Sequence, residues 1–353
     1  MNFTLDNLGN TCYLNTAIQC MFSSKLFVLS LYKCESDELI VKLFRNLINK
    51  IITDKQTGLT QSLKNVITYM NHEINIMELF EQNDLCEFMM CWFDLLHNAS
   101  KMEYDEKKHS THDIIQRITR SMNDRMLVLS DLCEKHMKKE YVKTKYSFIC
   151  KELNSMFISQ IKCKCGKLWT NYELHNHLQL DIHNKTTLFE CIEGYVKPIY
   201  FNDPEDEQHM VEWTCDACKE KHKSKRAICF WNLANTFVIF LKRFNMVADN
   251  SANGFRFVKD TSNIEIPTLL DMSPFVINAK YTNNQFKLVA VGCHIGRMNG
   301  GHYYSVLRDQ TIDDEENDAQ WRVVDDESSV SIKEGDRFRQ HLKNTYMLVY
   351  SKI

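Results

Sequence analysis

Proline and glycine are scarce in this chain, with 4 prolines and 10 glycines among 353 residues, and it contains neither an internal repeat nor a low-complexity tract. The hydrophobic fraction is 44% and the charged fraction 25%, as in ordinary globular proteins. This composition excludes wholesale disorder. The length allows one or two domains with a large core.

Long apolar runs and a strong net charge are also missing. No stretch approaches the roughly 18 apolar residues of a membrane-spanning helix. The N-terminus, MNFTLDNLGN, lacks the basic start and apolar run of a secretory signal. The formal net charge of -3 argues against binding of nucleic acid by general phosphate neutralisation. We therefore predict no nucleic-acid partner and no membrane association.

The 14 cysteines are expected to be reduced, because a chain without a secretory signal belongs to the cytoplasm or nucleus. They are then catalytic, metal-bound or plain small apolar residues rather than a disulfide framework.

The apolar pattern changes near residue 146. Before it, residues 14–22, 40–51 and 85–96 carry apolar stripes at helical spacing. After it come short runs rich in β-branched and aromatic residues. These runs are residues 157–162, 174–182, 237–244, 286–293, 302–307, 321–324 and 346–350. We predict an α+β fold, with a helical N-terminal lobe and a mainly antiparallel β lobe.

Cys12 directly precedes the first helical stripe, where Asn10 or Thr11 can cap the helix. The free N–H groups and the dipole of a helix N-terminus favour the thiolate, the reactive form of cysteine. Cys12 is therefore a candidate nucleophile. A buried structural cysteine is the alternative for an isolated residue of this type.

His302 opens a predicted strand after two glycines, and the strand at 321–324 ends in Asp325 and Asp326. A thiol protease needs a base within reach of the sulfur and a third group that fixes the imidazole tautomer. If the two strands are antiparallel neighbours, Asp325 lies beside His302. Taken alone, such a trio also arises by chance, as a surface histidine and a turn.

Two cysteine pairs lie in the β-rich part, and four thiolates make a closed tetrahedral zinc site. The second pair has the usual spacer of two residues, whereas the first has one, which strains the approach of both sulfurs to one metal. The pairs are Cys163 with Cys165 and Cys215 with Cys218. We predict structural zinc, with His222 or His175 able to replace a displaced cysteine; a metal-free finger is the alternative.

Several segments resemble, in order, the sequence boxes of the ubiquitin-specific proteases. GNTCYLNTAIQCMF resembles their Cys box, and QNDLCEF at 82–88 resembles their Gln/Asp/Glu-Phe box. FLKRF at 240–244 is similar to their buried strand ending in Lys-Arg-Phe. His294-x-Gly, Gly301-His302-Tyr303 and the segment 321–326 match their His box. The resemblance spans nearly the whole chain.

The resemblance implies a papain-like core shaped as a hand. Residues 1–145 would form the thumb with the Cys box. Residues 146–236 would form the fingers with part of the palm and the zinc site. Residues 237–353 would form the palm with the His box, and all of 1–353 one catalytic domain. Since Cys12 and Ile353 lie close to the ends of this core, no further domain is expected.

The resemblance also implies a cysteine-type ubiquitinyl hydrolase, which cleaves isopeptide or peptide bonds after the C-terminal glycine of ubiquitin. Cys12 is the nucleophile, His302 the base and Asp325 the residue that orients it. Asn7, five residues before the cysteine, is implied to hold the oxyanion, and Asp326 to assist Asp325. No cofactor is expected for catalysis.

The residues implied to bind the tail of ubiquitin are Gln82, Asp84, Glu87, Gly301 and Tyr303. Asp84 and Glu87 also fit a capping box, with Asp84 as the N-cap. Arginines of the tail need acidic partners, so we expect at least one of these two carboxylates to contact them.

The expected partners are ubiquitin and ubiquitinated proteins, bound by a monomer in the cytoplasm and/or nucleus of a eukaryotic cell. So short a core would fit a virus or a parasite, acting in an infected cell. Two alternative functions are a hydrolase of a ubiquitin-like modifier and a catalytically inactive ubiquitin-binding scaffold. The intact Cys12, His302, Asp325 and Asn7 argue against the scaffold.

Overall fold

The computed structural model describes residues 3–53, 58–74, 78, 80–105, 124–203, 205, 211–249, 254–277, 283–297, 300–309 and 320–353. Within these residues helices dominate the N-terminal part, and mainly antiparallel strands dominate the C-terminal part. The predicted α+β class is confirmed.

The helical part contains the three predicted helices and several others. Its helices are α1 (Cys12–Phe22), α2 (Lys25–Lys33), α3 (Leu39–Ile52), α4 (Leu59–Glu73), α5 (Leu85–Ser100), α6 (Asp124–Thr144) and α7 (Phe148–Leu153). Every residue of α1 is buried. This helix therefore lies in the centre of the molecule and not at its surface.

Trp92 of α5 is the centre of the helical core and is fully buried. Its ring centroid lies 5.4 Å from that of Phe44 and 6.0 Å from those of Phe88 and Phe93. Phe27 of α2 meets it edge-on at 6.2 Å. Aromatic side chains from α2, α3 and α5 thus hold the helices together.

A four-stranded antiparallel sheet follows in the order β2-β1-β5-β4. Its strands are β1 (Ser155–Lys162), β2 (Leu168–His175), β4 (Ile199–Phe201) and β5 (Ser224–Asn232). The run predicted at 174–182 is in fact the end of β2 and a separate strand, β3 (Leu178–Asp181), which joins another sheet. Apolar residues at even positions, Leu174, Leu178, Leu180 and Ile182, lie on both sides of this break, so the alternating pattern did not reveal it.

The larger sheet has the order β13-β12-β11-β10-β14-β6-β3, with β9 added to β10. Its other strands are β6 (Thr236–Lys242), β9 (Leu269–Asp271), β10 (Gln285–Arg297), β11 (Gly300–Arg308), β12 (Gln320–Asp325), β13 (Ser328–Lys333) and β14 (Thr345–Lys352). A separate hairpin consists of β7 (Phe244–Asp249) and β8 (Gly254–Lys259), and two short helices are α8 (Leu188–Val196) and α9 (Asp336–Leu342). Strands β11 and β12 are antiparallel neighbours with Ser305 opposite Val324, as predicted.

The helical part packs on the larger sheet through α1, which contacts β10 and β11. Gly292 of β10 marks the close approach. A Cβ atom there would lie 3.3 Å from side-chain carbons of both Thr16 and Leu85. Because of this packing, Cys12, the first residue of α1, lies next to His302 near the start of β11.

Among the described helices, none is by itself long and apolar enough to cross a membrane; α1 and α2 reach that length only as a pair bent by 92°.

We expect Trp92→Ala to lower the free energy of unfolding by about 3–5 kcal/mol, because it leaves a large cavity among four phenylalanines. Met90→Ala on the same helix removes a side chain that is 45% exposed and serves as the matched control. Chemical denaturation measures both. Equal losses for the two variants would contradict the central role of Trp92.

Candidate active site

Cys12 is the first residue of α1 and is 7% exposed. Thr11 is at the N-cap position, but no side chain caps the helix, so the predicted cap by Asn10 or Thr11 is wrong. The hydroxyl of Thr11 instead accepts from the N–H of Leu8 at 2.9 Å and donates to the Asn7 side-chain oxygen at 3.2 Å. The first turn of α1 therefore keeps its N–H groups for a ligand.

His302 lies between Cys12 and Asp325. Its Nε2 is 2.6 Å from Oδ1 of Asp325, which leaves Nδ1 for the sulfur. The hydrogen bond with Cys12, followed by the carboxylate of Asp325, raises the pKa of His302 to about 9, against the opposing effect of burial. The imidazole is therefore protonated at neutral pH, as a thiolate–imidazolium pair requires.

Asp326 does not share the role of Asp325 but binds amides of the helical part. Its carboxylate accepts from Nδ2 of Asn7 and from Nδ2 of Asn15, both at 2.8 Å. The backbone of Asp326 has a φ of 48°, so the extended conformation of β12 ends at Asp325. The side-chain oxygen of Asn7 accepts from the N–H groups of Gly9 at 3.1 Å and Thr11 at 3.2 Å. These bonds fix which end of the Asn7 amide carries the hydrogens.

A cavity of about 220 Å³ has Cys12 in its lining and brings the predicted tail-binding residues together. Gln82, Asp84, Glu87, Gly301 and Tyr303 all line it. The sequence motifs did not indicate the other lining residues as binding residues. These are Asn10, Tyr13, Asn83, Phe244 and His294. His294 could have been found from the His box, in which it stands eight residues before His302.

Asp84 supplies the N-cap of α5, so the capping alternative holds for this residue. Its Oδ1 accepts from the N–H groups of Cys86 at 2.8 Å and Glu87 at 3.0 Å. Its Oδ2 accepts from the hydroxyls of Tyr346 at 2.6 Å and Tyr303 at 3.3 Å. With four donors on Asp84, the exposed carboxylate of Glu87 is the freer of the two for a tail arginine.

The four predicted cysteines form one cluster at the end of the four-stranded sheet, and their sulfurs all lie within 4.8 Å of one another. The sulfurs of Cys163 and Cys218 are 3.9 Å apart, and those of Cys165 and Cys215 are 3.8 Å apart. Around a metal with Zn–S bonds of about 2.3 Å, tetrahedral geometry requires about 3.8 Å. The residues therefore fit zinc, and the short spacer does not prevent it.

The alternative ligand His175 lies elsewhere. Its Nε2 is 3.0 Å from a carboxylate oxygen of Glu173, and its ring packs on Phe157 with centroids 4.7 Å apart. His222 is also outside the cluster.

The chain belongs to the ubiquitin carboxyl-terminal hydrolase family, whose model matches residues 3–350. A relative from Vanderwaltozyma polyspora, ubiquitin carboxyl-terminal hydrolase 4, is 24% identical over 394 residues, which cover 100% of this chain and 41% of the relative. The protein of the same name from Saccharomyces cerevisiae is 24% identical over 390 residues, covering 99% and 39%. The chain thus spans about two fifths of the length of these curated relatives.

The fold is similar to that of Ubp8 in solved structures of the SAGA DUB module, which also contains Sgf11, Sus1 and Sgf73. One of these structures is bound to monoubiquitin and another to ubiquitin aldehyde. The TM-score is 0.71 at 17% identity, covering 99% of this chain and 69% of Ubp8. The resemblance seen in the sequence is confirmed. The boundaries at residues 145 and 236 stay a prediction.

We predict that Asp325→Asn moves the alkaline limb of kcat/KM to lower pH. The carboxylate raises the pKa of His302, so without it the imidazolium loses its proton at a lower pH. Turnover also falls, but by less than the about 10⁴-fold typical of a serine triad, because a thiolate needs less help.

The measurement is a pH–rate profile on a ubiquitin–amide reporter. Asp336→Asn, which changes an exposed aspartate on α9, is the matched control. An unmoved alkaline limb in Asp325→Asn would mean that Asp325 does not act on His302.

Proposed function

We propose that this chain is a deubiquitinase, a cysteine-type hydrolase of isopeptide and peptide bonds after the C-terminal glycine of ubiquitin. One observation carries the proposal: Cys12, at the uncapped start of a buried helix, is hydrogen-bonded to His302, which Asp325 holds at 2.6 Å. The family and the fold agree with this activity.

In the reaction, the Cys12 thiolate attacks the carbonyl carbon of the last glycine of ubiquitin. The imidazolium of His302 gives its proton to the departing lysine amine, and a thioester remains on Cys12. His302 then takes a proton from water, which attacks the thioester and releases the ubiquitin carboxylate and the free thiol.

The tetrahedral oxyanion would be held by Nδ2 of Asn7 and by the backbone N–H of Cys12, each worth about 3 kcal/mol. One hydrogen of the Asn7 amide is bound by Asp326, which leaves the other for the oxyanion. Asp326 therefore assists the triad through Asn7. Asp325 acts directly on the imidazole.

The tail of ubiquitin would enter the cavity that Cys12 lines, where Glu87 and Gln82 are exposed. A carboxylate binds guanidinium in a paired geometry, so Glu87 is the proposed partner of a tail arginine. Tyr303 and Gly301 would contact the glycine residues deeper in the cavity.

Zinc is the proposed structural metal of the four-cysteine cluster. All four ligands are thiolate donors, the set that structural zinc prefers. Bound there, the ion would tie the turn after β1 to the segment before β5, and the catalytic residues lie on other elements. The reaction itself needs no cofactor.

The proposed partners are ubiquitin and ubiquitinated proteins, and no nucleic acid or membrane is required. A monomer is expected to suffice, because Cys12, His302, Asp325 and Asn7 all come from one chain. None of the 14 cysteines forms a disulfide, which agrees with action in the cytoplasm or nucleus, where cysteines stay reduced.

Cys12→Ala should abolish hydrolysis of a ubiquitin–amide reporter while ubiquitin binding survives, because only the sulfur is lost. Cys34→Ala removes a half-buried thiol outside the cavity and should retain full turnover.

Ubiquitin and two ubiquitin-like modifiers, each carrying a thiol-reactive C-terminal electrophile, provide a parallel test. The wild-type chain should couple to the ubiquitin probe through Cys12. Coupling to another modifier alone would make this a hydrolase of that modifier, and binding without coupling would make it a scaffold.

Purified wild-type protein should contain near-stoichiometric zinc, and Cys218→Ser should lose it with a lower melting temperature. Cys229→Ser, in β5 of the same sheet but outside the cluster, should keep its zinc. Elemental analysis of freshly purified, unchelated protein measures both. Absence of zinc from the wild type would favour a metal-free finger.

A further inference from the structure

His294 lies on β10 opposite Tyr303 of β11, and it is 2% exposed. Three aromatic rings surround its imidazole, with the centroids of Tyr303 at 4.7 Å, Phe244 at 5.2 Å and Tyr346 at 6.4 Å. Yet the residue lines the same cavity as Cys12. A buried histidine at this place needs a reason beyond packing.

The tautomer of His294 is fixed by Lys259, the last residue of β8. The Lys259 ammonium lies 2.8 Å from Nδ1 of His294, and it also donates to the carbonyl oxygens of His294 at 2.8 Å and Gly296 at 3.4 Å. An ammonium only donates, so Nδ1 must be the acceptor. In a neutral ring the hydrogen is then on Nε2.

The ring stays neutral in this setting. Burial, followed by the positive charges of Lys259, His302 and Arg243, lowers the pKa of His294 to about 4. At neutral pH, Nε2 is therefore an uncharged hydrogen-bond donor. Among the described residues it meets no acceptor.

Gly301 is what lets the ring reach the cavity wall. A Cβ atom at this position would lie 2.0 Å from Nε2 of His294 and 2.9 Å from the carbonyl oxygen of Arg297. Any side chain at residue 301 would push the imidazole away. The glycine and the histidine thus form one wall of the cavity together.

Most other side-chain donors of the lining are already used. The Tyr303 hydroxyl donates to Asp84, and Nδ2 of Asn10, an exposed residue, donates one hydrogen to the carbonyl of Phe80. Nδ2 of Asn83 contacts the Tyr13 hydroxyl and two backbone carbonyls. Gln82 is exposed. His294 is a buried donor in this lining whose Nε2 has no acceptor among the described residues.

We propose that His294 is a positioning residue for the glycine tail of the substrate: its Nε2–H, fixed by Lys259, donates to a backbone carbonyl of the extended tail beside the scissile bond. This inference rests on the proposed function. Glycine residues offer only peptide groups for recognition, and a peptide carbonyl without a donor in a closed cavity is strongly disfavoured. The bond holds the tail in register with Cys12.

A binding cycle tests the proposal on the full chain carrying Cys12→Ala, with ubiquitin and with ubiquitin that lacks its last two glycines. His294→Ala and His294→Asn should weaken binding of intact ubiquitin roughly tenfold, the effect of one lost hydrogen bond. His294→Gln should retain most of the affinity, because its amide nitrogen replaces Nε2. None of these variants should change binding of the truncated ubiquitin.

Equal weakening for both forms of ubiquitin would show a merely structural histidine and overturn the proposal, as would no weakening for either. His72→Ala, an exposed histidine on α4, is the control and should change neither. If the parent protein binds neither form, the proposed function fails and this inference with it.

Nitrogen-15 spectra of histidine-labelled protein test the tautomer separately. The signal that disappears in His294→Gln should report a neutral ring protonated on Nε2, and Lys259→Met should shift it. Lys333→Met, an exposed lysine on β13, should leave it unchanged. A hydrogen on Nδ1 in the wild type would overturn the assigned donor.

Discussion

The close packing of α1 against β10 and β11 is the constraint on which the site depends. Cys12 belongs to the helical part and His302 to the large sheet, so their contact exists only while the two surfaces fit. Gly292 allows that fit, since a Cβ atom would press on both Thr16 and Leu85. A buried bond from the Ser305 hydroxyl to the side-chain oxygen of Gln19, at 2.6 Å, fixes the register of the helix on the strand.

Carboxylates strengthen the same interface on both sides of the nucleophile. Asp326 directly follows β12 of the sheet and binds two asparagines of the helical part, whereas Asp84 is the N-cap of α5 and binds two tyrosines of the sheet. Burial, and then the charge of Asp84, raises the pKa of Tyr303 and Tyr346, so both hydroxyls remain donors. Each acid thus links two chain segments that are distant in sequence and supports the walls of the cavity.

The sequence was sufficient to place Cys12, His302 and Asp325 together, because a helix start and two pairing strands are local patterns and the family's boxes name the same residues. The four cysteines were found from the short spacing within each pair. The sequence could not assign Asp326 to Asn7, since 319 residues separate them and no periodicity connects them. Tyr346 was missed in the same way, with 262 residues between it and Asp84. The missing cap of α1 shows a further limit: Thr11 has the right side chain at the right position, but Leu8 and Asn7 bind its hydroxyl first.

The four acids near the cavity have different tasks because their surroundings differ. Asp325 faces the imidazole of His302 and raises its pKa, so it stabilises the positive charge of the imidazolium. Asp326 and Asp84 face neutral amides and hydroxyls, so they orient these hydrogen-bond donors. Glu87 faces solvent, so its carboxylate is accessible to a partner. Lys259 is positively charged and has a similar task. Its ammonium donates to Nδ1 of the neutral His294 and so leaves the hydrogen of that ring on Nε2. A cavity built in this way offers hydrogen-bond donors to a peptide backbone, while the carboxylate of Asp84 in its lining is bound by donors of its own. A glycine tail has no side chain to recognise, so it is best bound through hydrogen bonds to its backbone.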